Sequence, residues 1–227
     1  MSMVGIKDLL VPKYYENKIR LGNKSDGGYV VSADHLTDRL ISLGCDNLTK
    51  FEEDYLARVP DSSVVIYDGT SKCELSDKDD RVTFHNKNIY SISELDMSKP
   101  CMIQMDIEGC ELDFFNDNHH KLDMVDQLVL EVHFHEEKYP QFPINGTISK
   151  WMDFFELLNS KFSLIHIHVN DNGIAQRRPL FFGVYDLLEL TYVKRDDSLE
   201  KENRSFPLLG LDYPNGYNIN PVIDWWL

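Results

Sequence analysis

Positive charge is scarce in this chain. Of 227 residues, 23 are Lys or Arg against 38 Asp or Glu, giving a formal net charge of −15 and a pI near 4.8. Such a surface repels phosphate backbones and anionic lipid, which excludes general nucleic-acid and membrane-surface binding. It leaves room for a small anionic substrate in a local basic pocket. No apolar run approaches the ~18 residues of a spanning helix, so no membrane insertion is expected. The opening "MSMVGIKDLLVPKYY" lacks the apolar stretch and cleavage pattern of a secretion leader. Cysteines number only four, Cys45, Cys73, Cys101 and Cys110, with no Cys-x-x-Cys spacing. That argues against a disulfide framework and for a reducing, cytoplasmic setting. Internal repeats and low-complexity tracts are absent as well. So is a Gly-x-Gly-x-x-Gly turn: the stretch after the first core strand reads "LGCDNLTKFEE". Asp46 and Glu52 there would repel a pyrophosphate, which counts against a dinucleotide.

What is present is an alternation of short β-like runs with amphipathic stretches. Seven strands are expected: "RLISLG" (39–44), "SSVVIYDGT" (62–70), "RVTFHNKNI" (81–89), "CMIQMD" (101–106), "DQLVLEVHFH" (126–135), "SLIHIHVND" (163–171) and "DLLELTYVKR" (186–195). Helices are expected in "FEEDYLARV" (51–59), where Phe51, Tyr55, Leu56 and Val59 share a face, from Glu111 to Phe115, and in "ISKWMDFFELLNSKF" (148–162). The last two strands have turn residues rather than a helix between them, which predicts an antiparallel strand at the sheet edge. The fold class is therefore α/β: one domain with a doubly wound, seven-stranded, mostly parallel sheet. Its core spans residues 37–195, preceded by a segment 1–36 and followed by a wrapping tail 196–227.

In such a sheet, ligands bind beyond the carboxyl ends of the strands, where strand order reverses. Gly44 ends the first core strand and Asp68 ends the second. A carboxylate at that second position suits a ribose, because it carries only acceptors and a vicinal diol offers two donors. A turn or helix-capping aspartate explains "DGT" equally well. A ligand with a ribose but no phosphate fits both the acidic loop and Asp68, and S-adenosylmethionine is one. Its sulfonium and ammonium groups favour an acidic surround. The fourth strand runs out through "MDIEGCE", placing Asp106, Glu108, Gly109 and Glu111 at its carboxyl end. Glu111 suits the first turn of a helix on macrodipole grounds alone, whereas Asp106 comes straight off the sheet.

Four stretches taken in order, "RLGNKSDGGYVV", "SLGCDNLTKFEED", "MDIEGCE" and the pair "LEVHFH" with "IHIHVND", resemble the FkbM-like S-adenosylmethionine-dependent methyltransferases. That group is similar to sugar and other small-molecule O-methyltransferases. The resemblance spans roughly residues 18–194 and implies the Rossmann-like class I methyltransferase fold. It also implies that the segment holding Asp26, Gly27, Gly28 and Tyr29 folds over the cofactor, with Lys24 or Arg20 meeting its carboxylate. Gly44, Asp46, Glu52, Asp68 and Asp106 would line the remainder. One departure stands out: Cys45-Asp46 replace the second glycine common in that first-strand loop.

Glu131, His133 and His135 alternate along the fifth strand, and His166 and His168 repeat the pattern on the sixth. Methyl transfer to a hydroxyl needs a base for its proton, and histidine titrates in the right range. Asp106, Glu108, His133, His135 and His168 are the catalytic candidates. A divalent metal (Mg or Mn) on Asp106, Glu131 and His133 would instead acidify and orient the hydroxyl. Tyr139, Phe142, Trp151, Trp225 and Trp226 could stack on a sugar, although Trp151 has the spacing of a core residue. Arg177 and Arg178 could hold an anionic group or mark a solvated turn. The expected acceptor is a sugar hydroxyl of a glycan or an activated sugar, and the chain could belong to a larger glycan-modifying assembly. A metal-dependent hydrolase and a non-catalytic cofactor-binding module are the alternatives.

Overall fold

A computed structural model describes residues 5–134, 146–171, 183–216, 222–223 and 226. After a single helical turn, α1 (Ile6–Leu9), the chain forms a hairpin of β1 (Lys18–Gly22) and β2 (Gly28–Ser32). The remaining strands are β3 (Arg39–Leu43), β4 (Ser63–Tyr67), β5 (Val82–His85), β6 (Cys101–Met105), β7 (Val125–His133), β8 (Phe162–Val169) and β9 (Leu187–Lys194). Between them lie α2 (Lys50–Arg58), the four-residue α3 (Glu111–Phe114) and α4 (Ile148–Lys161). All seven expected core strands form, in one sheet of order β5-β4-β3-β6-β7-β9-β8.

Strand order reverses between β3 and β6, which both run parallel to their outer neighbours. The antiparallel pairing falls at the expected end of the sheet. The edge strand β8 pairs antiparallel with β9, and β9 pairs antiparallel with β7. The reversed strand itself is thus β9, one place in from the edge. The outer side of β8 is closed by the N-terminal segment, where the Lys13 amide donates to Leu164 O at 2.7 Å and Lys18 Nζ to Ile165 O at 2.7 Å.

Side chains alternate faces along a strand, and β7 shows what that achieves. Leu128, Leu130 and Val132 enter the larger apolar core, while Gln127, Glu131 and His133 point to the other face. That first core is filled by α4, whose Trp151, Phe154, Phe155 and Leu158 recur at helical spacing and are buried. The Trp151 ring centroid lies 4.6 Å from that of Phe134, so Trp151 is a core residue and not a sugar platform. On the opposite face α2 buries Phe51, Tyr55 and Leu56. Val59, expected on the same stripe, lies just past the helix end.

The hairpin covers that second face above β7 and β9. The Thr191 hydroxyl donates to Val30 O, and the Ser32 amide donates to Gln127 Oε1 at 2.6 Å. Its turn demands glycine: Gly22 has φ +86°, and a Cβ on Gly28 would lie 2.0 Å from Asn23 O. Among the described residues, no helix is long and apolar enough to cross a membrane.

Candidate active site

The register across the sheet builds a polar row from sequence alternation alone. Glu131 on β7 lies opposite Glu189 on β9, and Glu189 lies opposite His168 on β8. Met105 pairs with Leu130, so Asp106, the next residue, adjoins Glu131. Asp106, Glu131, Glu189 and His168 therefore stand side by side at the level where the parallel strands end. The hairpin roofs this row with Tyr29, whose hydroxyl donates to Glu131 Oε2 at 3.2 Å and approaches Asp106 Oδ2 at 3.5 Å. Asn170 Nδ2 donates to Glu131 Oε1 at 2.8 Å, and Asn215 Nδ2 to Glu189 Oε1 at 2.7 Å. His168 Nδ1 lies 3.0 Å from Glu189 Oε2.

His133 is 2 % exposed and is held from behind: its Nδ1 lies 3.1 Å from Oε1 of the fully buried Glu111. Its Nε2 faces Glu108 Oε2 at 3.6 Å, Glu131 Oε1 at 3.9 Å and Asp106 Oδ1 at 4.0 Å. The loop that permits this has two successive left-handed residues, Glu108 (φ +54°) and Gly109 (φ +94°). They turn the chain so that Glu108 comes back towards His133 while Glu111 passes beneath it.

Electrostatics follow from crowding like charges away from water. Burial, then the neighbouring Asp106, pushes the Glu131 carboxyl well above its usual range. Burial likewise raises Asp26 at the hairpin tip, and raises Tyr29, where Glu131 and Asp106 add to it. Burial would lower His133, but Glu111, with Glu131 and Asp106 behind it, overrides this and raises it well above an ordinary imidazole. The site is a set of carboxylates seeking positive charge.

Several expected site residues prove to be placed differently. Asp68 is not an open acceptor for a diol. Its Oδ2 accepts from the amides of Cys45 and Asp46, both at 3.0 Å, and its Oδ1 from Thr70 N, Thr70 Oγ1 and Ser71 N at 2.7–2.9 Å. Burial opposes the charge, but these donors outweigh it and hold the carboxyl far below the usual range. Glu52 is buried in the second core, 2.5 Å from Ser42 Oγ, which is 2.8 Å from Gln104 Oε1. Burial raises it to about 7. Asp46 is exposed, in a left-handed turn at φ +39°.

Arg20 pins the hairpin turn and the tail through Asn23 O, Ser25 O and Leu211 O, and Lys24 stacks 5.4 Å over the Tyr213 ring. Gly27 (φ +74°) shapes the hairpin tip. At Gly44 the neighbour that approaches is the chain itself: at φ +79°, a Cβ there would lie 1.8 Å from Asp106 O, so only glycine lets the ends of β3 and β6 close together. Trp226 Nε1 donates to Lys7 O, away from the row. His135, Tyr139, Phe142, Arg177, Arg178 and Trp225 lie outside the described residues. Sequence reading missed Glu189, Asn170 and Asn215, and gave Glu111 no role beyond the first helical turn. Glu189 had a signal in its alternation with Thr191, and Glu111 in the motif it closes.

No family model matches the chain, and no curated protein matches it either. Among solved structures it is similar to a fibrillarin/Nop5p complex, with a TM-score of 0.43 and 8 % identity over 69 % of this chain and 72 % of that one. It is similar to the 16S rRNA methyltransferase KamB, with a TM-score of 0.42 and 12 % identity over 78 % of this chain and 100 % of that one. The antibiotic-resistance methyltransferase Kmr gives a TM-score of 0.39 and 10 % identity over 78 % and 100 %. These are distant likenesses of layout, and the chemistry has to be read from the side chains at the site.

Proposed function

We propose that this chain is an S-adenosylmethionine-dependent O-methyltransferase whose acceptor is a hydroxyl of a sugar, in a glycan or an activated precursor. The observation that carries the reading is the meeting of Gly44 with Asp106 where strand order reverses, beside a buried row of carboxylates. The strand ends at such a reversal are where a doubly wound sheet binds nucleosides, and a row of carboxylates there favours a cationic ligand over a phosphorylated one. The resemblance to FkbM-like motifs adds the reaction class, and it alone supplies the sugar.

When bound, S-adenosylmethionine supplies the methyl group and leaves as S-adenosylhomocysteine. The chain's own part is positional and electrostatic. Asp106, Glu131 and Asp26 match the positive charge of the ligand. Tyr29 and the hairpin cover it. Glu111 fixes the His133 tautomer so that Nε2 faces the acceptor, where it takes the hydroxyl proton as oxygen attacks the methyl carbon. The carboxylates bias His133 towards imidazolium, and neutralising them with a cation removes that bias.

Calorimetric titration with S-adenosylhomocysteine tests the first step, with micromolar affinity expected, on the order of typical Michaelis constants. No heat and no thermal shift at millimolar ligand would end the proposal. Affinity without turnover on any sugar would leave the cofactor site and discard the acceptor.

A further inference from the structure

We propose that Asp106, Glu108 and His133 form a divalent-cation site at the mouth of the carboxylate row, with Glu111 as its positioning residue. Each of the three offers one ligand atom, and these atoms all lie within 4.8 Å of one another. The spacing is the first argument. His133 Nε2 is 3.6 Å from Glu108 Oε2 and 4.0 Å from Asp106 Oδ1, beyond the roughly 3.2 Å of a hydrogen bond. Metal bonds of about 2.0–2.2 Å to nitrogen and oxygen set neighbouring ligands roughly 3–3.5 Å apart. Sub-ångström contraction about a central cation closes that gap.

The second argument is independent of the acids. His133 is 2 % exposed, and its Nε2 makes no hydrogen bond among the described residues, although it points into the cluster. Its other nitrogen lies 3.1 Å from the fully buried Glu111. A metal-bound histidine almost always gives its second N–H to a carboxylate or carbonyl, which fixes the tautomer with a lone pair facing the ion. Glu111 is itself fixed, accepting from Gly109 N at 3.1 Å.

Glu131 is displaced from the ligand set expected from sequence. Its two oxygens already accept from Asn170 and Tyr29, so it backs the site instead of entering it. Glu108, with a side chain 66 % exposed, takes its place. One imidazole with two carboxylates suits Mn2+ or Zn2+ over thiophilic ions. A cation on Nε2 would take the lone pair that His133 otherwise uses as a base, so in the metal-bound chain the cation and not His133 would acidify the acceptor hydroxyl; the site itself stands whether or not methyl transfer is the reaction.

The test uses the full chain, stripped of metal with chelator and titrated with MnCl2. Depletion of the free Mn2+ EPR signal should give one ion per chain, and pulsed EPR should show one coupled nitrogen. Glu108→Gln, at the exposed rim, should weaken binding at least about ten-fold without lowering the apo thermal midpoint. His133→Asn should abolish the nitrogen coupling, and Glu111→Gln should weaken it while binding persists. Glu53→Gln, on the exposed side of α2, controls for diffuse attraction by an acidic chain and should change nothing. A folded chain that binds no Mn2+ or Zn2+ at about 1 mM, or binding that Glu108→Gln and His133→Asn leave intact, overturns the site. S-adenosylhomocysteine titration of the same samples separates the two proposals, since either ligand can fail while the other binds.

Discussion

The carboxyl edge of the sheet has two halves that treat the same functional group in opposite ways. On the β3–β4 side, Asp68 is wrapped by five backbone and hydroxyl donors and is a strongly stabilised anion. On the β7–β9 side, Glu131 and Glu189 face one another with about one donor to each oxygen, and Glu131 is forced well above its ordinary pKa. A carboxylate satisfied by the chain holds loops together. One that the chain leaves under-compensated is available to a ligand. Position at a strand end does not separate the two cases; the number of donors does.

The sharpest way to break that contrast is Asp68→Ala, which orphans several amides at once. It should cost about 3 kcal/mol or more in urea unfolding. A variant of normal stability that only loses nucleoside affinity would return Asp68 to the ligand side. Gly44→Ala tests the seam between the halves. Its Cβ has no room beside Asp106 O and its φ is unfavourable, so about 2–3 kcal/mol should be lost.

Glu52→Gln probes a buried acid outside both sets. Its folded pKa of about 7 lies above the unfolded value, so the wild type binds more protons folded than unfolded and loses stability as pH rises from about 4.5 to 7. The variant should flatten that decline and gain about 1–2 kcal/mol at pH 8, read from melting curves across the window. Glu131→Gln should gain the least, about 1 kcal/mol at pH 8, while its activity falls. Its raised folded pKa has the same sign, so the gain should vanish in acid. A loss of stability at pH 8 would mean that the row is not under-compensated.

Strand identity was legible because β3, β4 and β6 are mainly apolar runs and polar residues recur at alternate positions in β7 and β8. The place of β9 between β7 and β8 was not, since pairing between distant segments leaves no local trace. Asp106 and His133 could be found from a motif and a two-residue period. The donors around Asp68 were not legible, because they are mainly backbone amides of Cys45, Asp46, Thr70 and Ser71, which no side-chain pattern reveals. Glu52 did carry a clue: Ser42 and Gln104 are polar residues inside otherwise apolar strands, and Ser42, which meets Gln104, also meets Glu52. The contact of Glu111 with His133 was not foreseen, because a first-turn glutamate already has a sufficient explanation in the helix dipole.

The insertion of β9 also governs when the fold can be completed. As the chain leaves the ribosome, β8 emerges before the strand that must lie between it and β7. Until residues 187–194 are out, the strand that links β7 to β8 is missing. Glu189, delivered by that late strand, is the final member of the carboxylate row to arrive, so assembly of the row coincides with closure of the sheet.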